Sequence, residues 1–204
     1  MNDRASGGPP AGGAASGEDV TGLLRAAEGG DPQAIDRLFS VLYGELRAIA
    51  HRQLQGAPAE RTLSTTALVH EAYLKLSRGS GWTAKDRSHF FSIAGRAMRM
   101  ILVDAARGRT RQRRGSGRRP LDLENVEIPV EERAAEIVAL DEALGRLGAA
   151  DGELAQLVEW RFFAGLSLEE IAEMSGRSER TLKRHWQAAR AFLFQELSAG
   201  ESPS

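Results

Sequence analysis

Residues Gly165–Gln187 read GLSLEEIAEMSGRSERTLKRHWQ, two short helical patterns around a break. Ser167 precedes an apolar run and is followed three residues later by Glu170. That is a capping box, in which a hydroxyl and a carboxylate satisfy the free amides of a helix start. Ser175, Gly176 and Arg177 form the break, where Gly176 can take a positive φ. Ser178 caps the next helix, whose Leu182, Trp186, Ala189 and Leu193 recur at four, three and four residues as one buried stripe. Ala172 is small where the two helices must approach. This is the layout of a helix-turn-helix, whose second helix lays its N-terminal residues in the major groove. Arg177, Ser178, Arg180, Thr181, Lys183, Arg184 and Gln187 lie off the stripe and are of the types that contact bases and phosphates. An ordinary helical hairpin with a wet basic face has the same pattern. Ser175 and Arg177 also stand where the commoner motif packs apolar side chains beneath its turn.

Helical periodicity governs the rest of the chain. It starts near Val20 and stops at Gly29–Gly30, then resumes at Asp31–Pro32, a capping residue followed by a proline tolerated in the first turn. Ile35, Leu38, Phe39, Leu42, Leu46 and Ile49 predict one amphipathic helix to about Leu54. A third helix is expected over Thr62–Ser77 and a fourth from near Arg87 into an Arg-rich stretch. Further helices are expected over Glu131–Leu147 and Asp151–Ala164, with two more after Gly165. No alternation of period two is long enough for a strand. The fold class is therefore all-α: two small helical domains, 18–114 and 131–198, joined by an acidic linker over 115–130. Residues 1–17, thirteen of them Gly, Pro, Ala or Ser, read as a disordered tail, and 199–204 as a second tail.

The 204 residues carry 27 Lys+Arg and 28 Asp+Glu, a net charge of −1 that conceals a strong segregation. Between Lys85 and Arg119 eleven basic residues face only Asp86 and Asp104, giving +9 and leaving −10 elsewhere. From Pro120 to Leu154 ten acids face only Arg133 and Arg146. Such blocks suit a polyanion contact beside an acidic connector, or a solvated Arg-rich loop. The absence of cysteine excludes disulfides, thiolate metal sites and a cysteine nucleophile. No stretch approaches the roughly 18–20 apolar residues of a membrane span, and the start has no apolar segment for a secretory signal. His51, His70, His89 and His185 lack metal-ligand spacing, and no phosphate loop or nucleophile elbow occurs. Neither metal, cofactor nor catalytic site is implied.

On the third helix Leu68, Val69, Ala72, Tyr73 and Leu76 share one face, with Leu63, Ala67 and Leu74 as a second ridge nearly opposite. Two apolar faces fit either a central helix or one that docks a partner. On the fourth, Phe90, Ala94, Ala97, Met98, Ile101 and Ala105 gather opposite His89, Arg96, Arg99 and Arg107. Cations that follow phosphates beside rings that stack on bases would suit a single strand, with Trp82 and Phe91 as candidate rings. Trp82 equally suits a core plug. Gly95 inside this helix costs about 1 kcal/mol against Ala, which leaves a close packing contact as its reason.

Thr65 to Leu76, TTALVHEAYLKL, resembles the core-binding segment of bacterial RNA polymerase sigma factors. His89–Ala94, HFFSIA, leading through Arg96–Arg99 to Ile101–Asp104, resembles the segment that reads and melts the promoter −10 element. The helix-turn-helix is similar to region 4, which reads the −35 element. In this order over about Val20–Leu197, the three segments resemble the extracytoplasmic-function (ECF) family, and within it the ECF-like branch. The resemblance implies a non-enzymatic factor that directs RNA polymerase core to promoters and promotes melting. Leu63, Ala67, His70, Glu71 and Leu74 would meet the clamp of the largest subunit. Trp82, Arg87, His89, Phe91, Arg96, Arg99 and Arg107 would handle the −10 strand, and the second helix of the helix-turn-helix the −35 duplex. The acids of Asp122–Glu132 would thread a basic polymerase channel. Promoter DNA, core polymerase and an anti-sigma factor or other regulator are the implied partners. The implied location is the cytoplasm, at the nucleoid when polymerase-bound, with no membrane contact. The alternative is a stand-alone helix-turn-helix regulator of duplex DNA, which would bury both faces of Thr62–Leu76.

Overall fold

A computed structural model of the chain describes residues 17–29, 31–54, 64–78, 82–115 and 130–200. The expected linker between 116 and 129, most of both tails, and Leu63 lie outside the described residues. Among those described every regular element is helical, without a strand. The N-terminal half holds α1 (Gly17–Glu28), α2 (Pro32–Val41), α3 (Tyr43–Leu54), α4 (Thr65–Arg78) and α5 (Arg87–Gly115). The C-terminal half holds α6 (Val130–Ala150), α7 (Gly152–Val158), α8 (Leu168–Ser175) and α9 (Glu179–Gly200).

Local capping explains the starts. Asp31 Oδ1 accepts from Gln33 N–H at 2.9 Å, and Ser64 Oγ from Ala67 N–H at 3.1 Å, so α4 begins at Thr65. Two patterns expected as single helices are broken. The segment from Asp31 bends at Leu42, whose φ of −96° and ψ of 11° leave the helical well. Because Ile35, Leu38, Phe39, Leu42, Leu46 and Ile49 are all buried, the apolar stripe runs through the bend and does not reveal it. The segment from Asp151 widens after Val158 into a π-helical turn, Glu159–Phe163. Such turns add a residue to one coil and re-aim the side chains that follow.

One apolar core runs from Val20 through Leu38, Leu68, Phe90 and Met98 to Leu157, Ala164, Leu166, Ile171 and Leu182. A smaller cluster, Leu144, Leu147, Val158, Phe163 and Ala189, ties α6, α7, the π turn and α9 together. The long helix α5 is central to both halves. Its Phe90, Ala94, Ala97 and Met98 are buried in the N-terminal half, as its first stripe requires. Phe91, Leu102 and Ala106 are buried as well. Together with Gly95 they form a second stripe at four, seven and four residues, and α5 also packs on α6, the π turn and α8. Phe91, expected as an exposed ring, is therefore a packed one, 6% exposed.

Candidate nucleic-acid interface

The helix-turn-helix forms as its caps require. Glu170 N–H donates to Ser167 Oγ at 3.0 Å and Ser167 N–H to Glu170 Oε2 at 2.7 Å, completing the capping box. Gly176 takes φ +70° and donates its N–H to Ala172 O at 2.9 Å. Ser178 Oγ accepts from Thr181 N–H at 3.2 Å, so both side chains sit at the start of α9. The two unusual turn residues find polar partners instead of an apolar pocket. Ser175 Oγ donates to Ile171 O at 2.6 Å. Arg177 grips Glu153 on α7 through both terminal nitrogens, one at 2.6 Å. That fork holds the Glu153 carboxyl below its usual range and raises the Arg177 guanidinium. Arg177 is thus committed to the turn, while Arg180, Arg184 and Gln187 are exposed along the outer face of α9. Lys183 shares that face, 3.0 Å from Glu179 one turn earlier.

The basic side of α5 is arranged differently. Arg99 Nη1 lies 2.5 Å from Asp141 Oδ1 of α6, and its Nη2 lies 3.0 Å from Glu159 Oε1 of the π turn. Arg107 reaches the other oxygen of Asp141 at 3.0 Å, and Arg96 stands 4.0 Å from Glu159. Arg99 is only 14% exposed, against 65% for Arg96, because position 99 falls within the second apolar stripe. Its guanidinium lies 5.2 Å from the centre of the Phe163 ring. Around these pairs the two halves are stitched by polar contacts. Gln53 donates to both Gly95 O, at 3.1 Å, and Phe163 O, at 2.9 Å. Trp160 Nε1 donates to Ser92 Oγ at 3.0 Å, and Arg52 to Ala164 O at 3.3 Å. Arg52 lies over Gly165, whose φ is +74°. Among the described residues the two buried side-chain atoms without a partner, Gln53 Oε1 and Arg99 Nε, both belong to this seam. Each such atom costs about 1–3 kcal/mol of lost solvation.

Gly95 has the close contact its place in a helix suggested. A Cβ there would stand 2.8 Å from Ala164 Cα and 2.9 Å from its N, backbone that cannot yield. The other residues read as handling a single strand are mostly engaged. Trp82 donates Nε1–H to Leu76 O at 3.0 Å with its ring 5.9 Å from Phe90, as a core plug would. Arg87 pairs with Glu45 at 2.6 Å over the Phe91 ring. His89 accepts the Lys85 N–H and donates its own backbone N–H to Asp86, closing the start of α5.

On α4 the buried face is Leu68, Val69, Ala72 and Leu76, and Tyr73 donates its phenol to Asp36 of α2 at 2.7 Å. The opposite ridge stays at the surface: Ala67 and Leu74 are half-buried, His70 and Glu71 exposed. Glu71, Leu74, Lys75 and Arg78 line an open groove with Ile101 of α5. Sequence reasoning missed Asp141, Glu159 and Gln53, the partners of the α5 face. The second stripe of α5, visible in the sequence, is the signal that points to a partner on that side. Among the described residues no His, Asp and Glu cluster is placed to hold a metal ion, and no helix is long and apolar enough to cross a membrane.

A family model described as ECF sigma factor matches residues 17–199. Neither a curated protein nor a solved structure gives a significant match.

Proposed function

The chain belongs to the ECF sigma factor family, whose members act with RNA polymerase in promoter-specific initiation and are not enzymes, and from that premise we propose how its parts divide the task. The halves 18–114 and 131–198, joined by the linker and sharing one apolar core in the structure, take separate parts of the task. The outer face of α9, with Arg180, Lys183, Arg184 and Gln187, reads the −35 duplex, while Ser178 and Thr181 set the helix start and Arg177 fixes its tilt through Glu153. The ridge of α4, with Ala67, His70, Glu71 and Leu74 beside the groove to Ile101, docks on the clamp of the polymerase's largest subunit. Arg96, Arg99 and Arg107 of α5 follow the non-template strand at the −10 element and hold it as the duplex melts. Trp82, Arg87, His89 and Phe91 support that face from beneath. The protein would work in the cytoplasm, at the nucleoid when bound to polymerase.

The observation that carries this reading is the uncovered outer ridge of α4, within a chain that one family model matches over residues 17–199. A stand-alone regulator would have buried that ridge in its own sensing or dimerisation module. Run-off transcription with purified core polymerase tests the reading. Initiation from discrete start points on genomic fragments, dependent on this chain, is the expected result. No initiation on any fragment, with tight duplex binding by the chain alone, would overturn it in favour of the regulator.

A further inference from the structure

We propose that Met100 is the residue of α5 against which an unpaired base of the −10 strand packs, in place of the rings Trp82 and Phe91. The inference rests on the reading of α5 as the strand-binding face and adds to it the group that meets a base. Guanidinium groups alone hold a strand by its phosphates, a contact that carries no information about the bases. The sequence offers two rings for the bases, and the structure packs both away. Trp82 donates to Leu76 O and lies against Phe90, and Phe91 is buried beneath Arg87. Among the described residues of α5, Met100 is the large apolar side chain left in solvent, 44% exposed.

Its neighbours on the helix give that exposure a use. Arg96, Met100, Arg107 and Arg111 recur at four, seven and four residues and share one face. The side chains of Arg96 and Arg107 are 65% and 44% exposed, and Arg111 is exposed as well. Eleven residues of helix set Arg96 and Arg107 about 16 Å apart along the axis, the rise of roughly five stacked nucleotides. A strand whose phosphates bridge the two arginines therefore crosses Met100. Asp104, exposed one turn on, lies on the other side of Met100 from Arg96 and Arg107. Its carboxylate repels phosphate and keeps the backbone on the arginine side, which turns a base toward the thioether. An unbranched, polarizable side chain suits that contact, and methionine is among the apolar residues that pack between bases.

A cycle between protein and DNA tests the pairing of Met100 with a base. Holoenzyme is assembled from core polymerase and the full chain. The probe is the genomic fragment that gives the strongest run-off start, with its strands mismatched upstream of that start. Bases of the non-template strand are removed one at a time to leave abasic sugars, and equilibrium binding is measured. With the unaltered chain, one abasic position is expected to weaken binding about fivefold. Met100→Gln, which keeps charge and replaces an exposed side chain, should weaken the intact probe by the same factor. It should then be indifferent to that position, so that the two losses do not add. Met100→Leu should keep the response. Arg96→Ala should weaken every probe alike, as a phosphate contact does. Losses from Met100→Gln that add at every position, or an unaltered chain indifferent to all of them, would overturn the proposal. With Arg96→Ala still weakening binding, the strand-binding reading of α5 would stand. Arg96→Ala and Arg107→Ala without effect on any probe would instead overturn that reading, and the proposal with it, as would the absence of any run-off start.

Discussion

The outer face of α9 and the basic side of α5 carry the same chemistry in opposite states. Arg180, Arg184 and Gln187 stand in solvent, while Arg99 is closed off between two carboxylates and an aromatic ring. Neither charge nor spacing separates them, since both are arginines recurring along an amphipathic helix. What separates them is the residue composition between the arginines. On α9 the arginines lie off the stripe Leu182, Trp186, Ala189 and Leu193, and Arg180, Arg184 and Gln187 face out. On α5 a second stripe runs through Phe91, Gly95, Leu102 and Ala106, and Arg99 lies inside it. A helix with two packed faces draws a partner onto its charges, and the partner here brings acids.

This contrast can be broken most severely from the α9 side. Replacing Arg180 and Arg184 together by Ala should lower promoter-dependent initiation by on the order of a hundredfold, since each good base contact is worth about 1–3 kcal/mol. Fold stability should hardly change, because exposed substitutions stay within about 0.5 kcal/mol. Quantitative run-off assays and urea titrations measure the two effects. Arg99→Ala should show the converse balance in the free chain. It leaves Glu159 with Arg96 alone at 4.0 Å and Asp141 with Arg107 alone, and a loss of about 1–2 kcal/mol in urea unfolding is expected, discounted from the value for fully buried pairs by their partial exposure. Equal stability of Arg99→Ala and Arg184→Ala would mean the two faces are alike after all.

The smallest effect concerns the pairing of Arg177 with Glu153 beside the turn. Arg177 lowers the pKa of Glu153, so the folded chain holds the carboxylate more tightly than the unfolded one. The stability it contributes is present above the ordinary glutamate pKa and is lost as pH falls through the lowered folded value. Glu153→Gln should therefore melt slightly below the parent at neutral pH and converge with it in acid. Thermal melts across that window check the convergence.

The all-α class, the caps and the helix-turn-helix were legible because they depend on neighbours within four residues. Ser167 with Glu170, Gly176 and Ser178 behave as their positions dictate. The bend at Leu42 was hidden because the apolar stripe continues across it. The π turn was hidden because EWRFF reads as ordinary helix, and its wider coil lies against α5, far along the chain. Gly95 was legible as a contact but not as a contact with Ala164, which is far along the chain. The pairing of Arg177 with Glu153 was not legible, because the two stand 24 residues apart. On α5 the arginines interleaved with the second stripe make that side read as solvent-facing, and only the acids of α6 and the π turn correct it.

Arginine-directed modification with phenylglyoxal, followed residue by residue by mass spectrometry on the free chain, compares the two faces directly. Arg180 and Arg184 should react rapidly and Arg99 slowly, with Gly95→Ala bringing Arg99 toward their rate and Gly108→Ala leaving it protected. An Arg99 as reactive as Arg184 in the unaltered chain would contradict the closed seam.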